Sequence, residues 1–161
     1  MDPVHRTIKQ AAAALAFALA FAGPAAAAGE SHEHGHGAGE AKLVLDHGKK
    51  WQTDAPLRKG MEEIRNALEK AHGHGHHGEA GPAKYVELGN QMESQIASIV
   101  MNCKLEPAAD ANLHVIIGEL NAAADAFKGA NPADAEEAMQ RAATATRAYA
   151  KHFDHPGFRA L

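Results

Sequence analysis

The sequence is short of the features that would assign it to several common classes of protein. It contains one cysteine, Cys103, among 161 residues, so no disulfide can form within the chain. The formal net charge is −4 and no basic stripe is present, which excludes a nucleic-acid partner because nothing would neutralise the phosphates. Beyond the N-terminal segment, no apolar run is long enough to cross a membrane. No arrangement of nucleophile, base and orienting residue is visible, so we do not expect an enzyme.

The N-terminal residues carry a clear signal. The basic residues of "MDPVHRTIKQ" are followed by the apolar run "AAAALAFALAFAGP" and then by small alanines. This order is typical of a cleavable secretory signal peptide, and the run is too short to span a bilayer. We therefore assign residues 1–28 to a signal peptide and expect the mature chain, without a membrane span, in the periplasm. In an oxidising compartment a lone thiol must be buried, bound to a metal or paired between two chains.

Two segments of low complexity, here called the histidine tracts, consist mainly of glycine and histidine. They are "GESHEHGHGAGE" at residues 29–40 and "HGHGHHGEAGP" at residues 72–82, and neither can bury a core. Imidazoles at every second position of a flexible backbone can reach one ion together and bind Cu(II), Ni(II) or Zn(II) loosely. The alternative is a solvated linker that is only incidentally rich in histidine. The candidate ligands are His32, His34, His36, His72, His74, His76 and His77.

The rest of the mature sequence shows helical periodicity and no strand pattern. Apolar residues recur at spacings of three and four, with prolines and short polar breaks between the periodic segments. The predicted helices cover residues 55–71, 83–104, 108–128 and 132–154. Because the last two connections are short, neighbouring helices are expected to run antiparallel. We therefore predict an all-α protein, an up-down-up-down four-helix bundle over residues 51–161. A flexible histidine-rich tail at 29–50 would precede it, and the second tract would form the loop between helices 1 and 2.

Two stretches of the sequence resemble a known protein family. "LRKGMEEIRNALEKA" at residues 57–71, and residues 115–153 with their "ATATRAYAKHF" ending, resemble the periplasmic four-helix-bundle cytochrome b and its relative cytochrome c′. The resemblance implies the bundle fold and makes Met61 the counterpart of one haem ligand. The family's second ligand is a histidine directly after the helix 4 tyrosine, where this chain has Ala150, and its nearest histidine is His152. We therefore expect a bundle without haem.

In an up-down bundle the start of helix 1, the end of helix 2, the start of helix 3 and the end of helix 4 share one end, here called the Cys103 end. The residues that the prediction brings there are Cys103, His114, His152, His155 and Met61. Cysteine, histidine and a weak methionine form a soft ligand set that suits copper, and cysteine with two histidines also suits zinc. Cys103, His114 and His152 would be the main ligands, with Met61 or His155 completing the site.

Each of these residues also has a structural interpretation. Cys103 and Met61 could simply fill the core. His114 could be a solvated surface residue, and His155 could place a favourable charge at a helix C-terminus.

These patterns predict a periplasmic protein that binds a transition metal, copper before zinc or nickel, for sequestration, delivery or resistance. Its partners would be metal ions and a periplasmic metal-transport or acceptor protein, and it would act as a monomer or a homodimer. One alternative is a haem-b electron-transfer cytochrome with Met61 and a displaced His152 as axial ligands. A second is a structural or adaptor bundle with incidental histidine tracts.

Overall fold

The structure, a computed structural model, describes residues 42–75, 81–129 and 132–161. The predicted signal peptide, the first histidine tract and part of the second lie outside these residues. The described part is mostly helical and contains four helices and a pair of short strands. In chain order these are β1 (Trp51–Gln52), α1 (Ala55–Gly75), α2 (Pro82–Asn102), α3 (Pro107–Lys128), α4 (Pro132–His152) and β2 (Phe153–Asp154). Among the described helices, none is long and apolar enough to cross a membrane.

The helices begin and end close to the predicted positions. Asp54 caps α1, because its Oδ1 accepts a 2.9 Å hydrogen bond from the Leu57 N–H. The other three helices begin with proline, whose missing N–H has no helical partner to lose in the first turn. α1 continues to Gly75 and so extends into the second histidine tract. α2 ends at Asn102, which makes Cys103 its C-cap and not part of the helix.

The helices share one apolar core. Each consecutive pair of helices packs together, and α1 also contacts α4. Most of the core side chains lie on the predicted apolar stripes, which explains why the stripes were sufficient to find the helices. The largest fully buried side chains are Leu57, Met61, Ile64, Leu68, Met92, Ile99, Leu113, Ile116, Leu120, Phe127, Tyr149 and Phe153.

Two glycines let the helices approach closely. A Cβ at Gly60 in α1 would overlap the side chain of Ile99 in α2. A Cβ at Gly89 in α2 would overlap the backbone carbonyl of Ala124 in α3. Because backbone cannot rotate away as a side chain can, we expect Gly89 to tolerate substitution less well than Gly60.

A short parallel strand pair is the feature that the sequence does not predict. Trp51 lies opposite Phe153, and Gln52 lies opposite Asp154. α4 therefore ends at His152 and not at residue 154, because the next two residues leave the helix to form β2. The expectation that no segment forms a strand is wrong for these two dipeptides, since two residues are too few to show an alternating pattern.

Two residues of the segment 42–50, assigned above to a flexible tail, contact the helices. Leu43 packs on the core, and the Val44 N–H donates a 2.8 Å hydrogen bond to Asn112 Oδ1 on α3. The Trp51 Nε1–H in turn donates a 2.8 Å hydrogen bond to the carbonyl of Val44. The packed region therefore begins before residue 51. Contacts that single residues such as Leu43 and Val44 make with the helices leave no periodic pattern in the sequence.

Candidate functional site

Hydrogen bonds join three segments at the Cys103 end. Asp54 Oδ2, just before α1, accepts a 2.6 Å hydrogen bond from the Lys104 N–H in the α2–α3 turn. The Thr53 hydroxyl donates a 2.6 Å hydrogen bond to the Asp154 carbonyl in β2. Each bond joins residues that are far apart in the sequence. The start of α1, the end of α2 and the end of α4 therefore lie next to one another.

Cys103 is half-buried at this end and is a free cysteine. Burial raises the pKa of its thiol, and the negative charges of Asp54 and Asp110 raise it further. The protonated thiol is therefore the stable form at neutral pH. Since a metal binds the thiolate, an ion at Cys103 would have to displace this proton.

His114 and His152 each bond to their own helix. His114 is exposed, and its Nδ1 lies 2.9 Å from the Asp110 carbonyl oxygen. His152 is buried, and its Nδ1 lies 2.8 Å from the Ala148 carbonyl oxygen. In each case a ring N–H donates to the carbonyl one turn earlier, which leaves Nε2 as the ring nitrogen that a metal could use.

His155 is held by two side chains from other parts of the structure. The side chain is 2% exposed, its Nδ1 lies 2.9 Å from the Tyr149 hydroxyl, and its Nε2 lies 3.2 Å from Glu62 Oε1. A carboxylate can only accept, so Nε2 carries a proton, and in the neutral imidazole Nδ1 then accepts the hydrogen bond from Tyr149. Both ring nitrogens are therefore engaged, and neither has a lone pair left for a metal.

Met61 is 0% exposed within the core. A side chain with no accessible surface touches no space large enough for a water molecule, so a haem iron could not reach its sulfur without opening the core. In the structure Met61 is packed as a core side chain. Its role as a haem or metal ligand stays a prediction.

The structure places the predicted ligands of the Cys103 end in different surroundings. Among residues 42–75, 81–129 and 132–161, no three His, Cys, Asp or Glu side chains are placed to hold one ion. Cys103 and His114 share the neighbourhood of Asp110, whereas His155 faces Tyr149 and α1.

The histidine tracts are only partly within the described residues. His72 is exposed near the C-terminal end of α1. The side chains of the other six predicted ligands, His32, His34, His36, His74, His76 and His77, lie outside the described residues.

Sequence reasoning missed Glu62 and Asp110. Asp110 lies one helical turn before His114, a spacing that predicts contact between the two side chains and could have found it. Glu62 and His155 are 93 residues apart, so no local pattern connects them. Their contact depends on how the segment after α4 folds back onto α1.

Comparisons with protein-family models, with curated proteins and with solved structures gave no match. The resemblance to the four-helix cytochromes therefore stays a prediction from residues 57–71 and 115–153.

Proposed function

We propose that this protein is an exported, periplasmic binder of transition-metal ions, copper before zinc or nickel, whose two histidine tracts hold the ions. Its role would be to sequester the metal or deliver it to a periplasmic acceptor. The single observation that carries this proposal is the distribution of ligands. Seven of the 12 histidines lie in the two tracts, whereas the described residues outside the tracts contain no group of three ligands.

The described helices fit the role of a scaffold in this proposal. We infer an up-down-up-down bundle, in agreement with the hydrogen bonds that join Thr53 to Asp154 and Asp54 to Lys104. α1 runs to Gly75 and so carries the beginning of the second tract directly on the helix. One end of that tract is thereby anchored to a rigid element.

The test is a Cu(II) titration of the exported chain by equilibrium dialysis at neutral pH. One variant replaces His32, His34 and His36 with asparagine, and a second replaces His72, His74, His76 and His77. We expect each variant to lose the ions of its own tract and the combined variant to lose nearly all binding. Because imidazole must be neutral to bind, binding by the unmodified chain should fade below about pH 6.

The matched control replaces histidines outside the tracts, with His114→Gln and His152→Gln in one chain and Cys103→Ala in another. Both controls should bind as many ions as the unmodified chain. Full binding by the combined tract variant would contradict the proposal. If that binding were accompanied by a thiolate-to-Cu(II) absorption band that Cys103→Ala removes, the metal would instead be at the Cys103 end.

A further inference from the structure

Tyr149, His155 and Glu62 form a continuous line of hydrogen bonds from the core to the surface. Tyr149 is 0% exposed, the His155 side chain is 2% exposed and the Glu62 side chain is 55% exposed. The two hydrogen bonds measure 2.9 Å and 3.2 Å. A buried phenol thus has a base in contact with it and a solvated carboxylate behind that base.

The tautomer of His155 determines the direction in which a proton can move. Tyr149 donates to Nδ1, and the Nε2–H donates to Glu62, as derived above from the acceptor character of the carboxylate. If the phenol gives its proton to Nδ1, the proton on Nε2 can pass to Glu62 and from there to water. The reverse assignment would place a nitrogen lone pair against a negative oxygen and is therefore excluded.

Aromatic side chains connect the same phenol to the β1–β2 pair. The ring of Tyr149 stacks on Phe153 at a centroid distance of 5.2 Å and an interplanar angle of 15°. Phe153 lies opposite Trp51 in the strand pair, and Trp51 is half-buried. Trp51, the only tryptophan in the chain, is thus the strand partner of the phenylalanine that stacks on Tyr149.

We propose that Tyr149 is a redox-active tyrosine that accepts one-electron oxidising equivalents arriving at Trp51 and releases its phenolic proton through His155 to Glu62. The oxidant is a small, diffusible one-electron oxidant, such as an inorganic radical. It takes one electron from Trp51, and Tyr149 returns one electron to Trp51. The Tyr149 O–H bond breaks as the proton moves to Nδ1, and the Nε2 proton moves to the Glu62 carboxylate. The products are a neutral tyrosyl radical, the reduced oxidant and one proton for the solvent.

The buried surroundings of Tyr149 require that its electron and its proton leave together. Burial raises the pKa of Tyr149 well above its ordinary value, and the negative charges of Glu62 and Asp54 act in the same direction, while Arg58 opposes them. The phenol therefore does not ionise beforehand, and a positively charged phenol radical would be costly in the core. Oxidation at Tyr149 requires that the proton leave with the electron, and His155 is the base in position to take it.

The experiment uses azidyl radicals generated by pulse radiolysis as the oxidant, with the tyrosyl radical followed by transient absorption and by EPR after freezing. The chain has two tyrosines, so Tyr85→Phe leaves Tyr149 as the only source of the signal. We expect a Trp51 radical to form first and to convert into the Tyr149 radical, more slowly in D2O than in H2O. His155→Gln should slow the conversion of the Trp51 radical into the Tyr149 radical by about 100-fold, the contribution of a positioned base. Trp51→Phe should remove the rapid formation of the Tyr149 radical that passes through Trp51.

Glu62→Gln tests the same relay at a half-exposed position and stays informative if His155→Gln does not fold. It should slow the conversion, because Nε2 loses the carboxylate that receives its proton. The matched control is His152→Gln, a buried histidine bonded to the backbone, which should leave the rate and the isotope effect unchanged. A Trp51 radical that decays without forming a tyrosyl radical would overturn the proposal. So would a conversion that shows no isotope effect and is insensitive to Glu62→Gln.

Discussion

The α2–α3 turn with Cys103 and His114 differs sharply from the C-terminal segment with Phe153 and His155, although sequence reasoning assigned both regions to one metal site. The His114 side chain is 61% exposed, whereas the His155 side chain is 2% exposed. Among the residues that the structure describes, His114 bonds only to Asp110, on its own helix. His155 joins α4 to α1 through Tyr149 and Glu62.

The difference shows that burial, and not residue type, decides what these histidines can do. An exposed histidine can exchange its proton with solvent and turn to meet an ion. A buried histidine with both nitrogens bonded has a fixed tautomer, and removing either partner leaves a polar group unsatisfied in the core. Two histidines that sequence reasoning assigned to one metal site therefore have different surroundings in the structure.

The largest effect that separates the two regions should come from truncating an aromatic side chain. Phe153→Ala removes a ring that is 1% exposed and stacks on Tyr149, and should lower the free energy of unfolding by about 3–5 kcal/mol. Met101→Ala, in the last turn of α2, removes a side chain that is 79% exposed. It should change stability by no more than about 0.5 kcal/mol.

Urea unfolding followed by circular dichroism measures both values, with the m-value checking that the unfolded states are comparable. Equal losses in the two variants would mean that the C-terminal segment does not contribute to the core as described. A loss confined to Phe153→Ala would support the contrast.

Asp54 connects the start of α1 to the α2–α3 turn and should give an intermediate effect. Its two oxygens accept hydrogen bonds from the Leu57 N–H and the Lys104 N–H. Asp54→Ala leaves both donors without this partner and should cost about 1–2 kcal/mol. Asp54→Asn keeps one side-chain oxygen and should cost less. Both changes remove a charge that raises the pKa of the Cys103 thiol, so alkylation of Cys103 should begin at a lower pH.

The measurement pairs urea unfolding with the pH profile of iodoacetamide labelling. Asp110→Asn is the matched control, because Asp110 also raises the thiol pKa but does not cap α1. It should shift the labelling profile in the same direction with a smaller change in stability. An unchanged profile in both variants would contradict the electrostatic explanation.

The sequence predicted the helices well, because their signals are local. Apolar residues at helical spacing, a capping aspartate and three prolines locate most helix ends, and these features act within a few residues of one another. The position of Cys103 near the end of α2 follows from the same pattern. His155, in contrast, was interpreted from its chemistry and not from its surroundings. Its partners come from Tyr149 on α4 and from Glu62, 93 residues away on α1.

The same limit explains the strand pair and residues 42–50. Trp51 and Phe153 meet because the chain just before α1 and the chain just after α4 pair as parallel strands. Val44 is fixed by hydrogen bonds to Asn112 and to Trp51. Each contact depends on the packed helices already being in place, so neither leaves a periodic trace in the sequence. Convergence at one end of a bundle can be predicted from topology, but which side chains face one another cannot.

The smallest of the predicted effects on stability concerns the hydrogen bond between Tyr149 and His155. At neutral pH, Tyr149→Phe keeps the ring, removes the donor to Nδ1 and should cost about 1 kcal/mol. The pKa of Tyr149 is raised in the folded state, above the ordinary value of 10.0 that applies when the chain is unfolded. Below about pH 10 both states are neutral, and the tyrosine's contribution is fully present. As the pH rises further, only the unfolded chain loses this proton, so the contribution falls.

The gap in stability between the unmodified chain and Tyr149→Phe should therefore close, or change sign, as the pH rises from about 8 to about 11. Urea unfolding at several pH values measures this gap directly. Lysines also titrate in this range, but they are common to both chains, and so their effect cancels in the difference. Tyr85→Phe provides the matched control for the loss of a tyrosine hydroxyl, because Tyr85 is half-buried and stacks on Phe127. A constant gap for Tyr149→Phe would mean that Tyr149 ionises as easily when folded as when unfolded, and that the phenol is not sealed in the core.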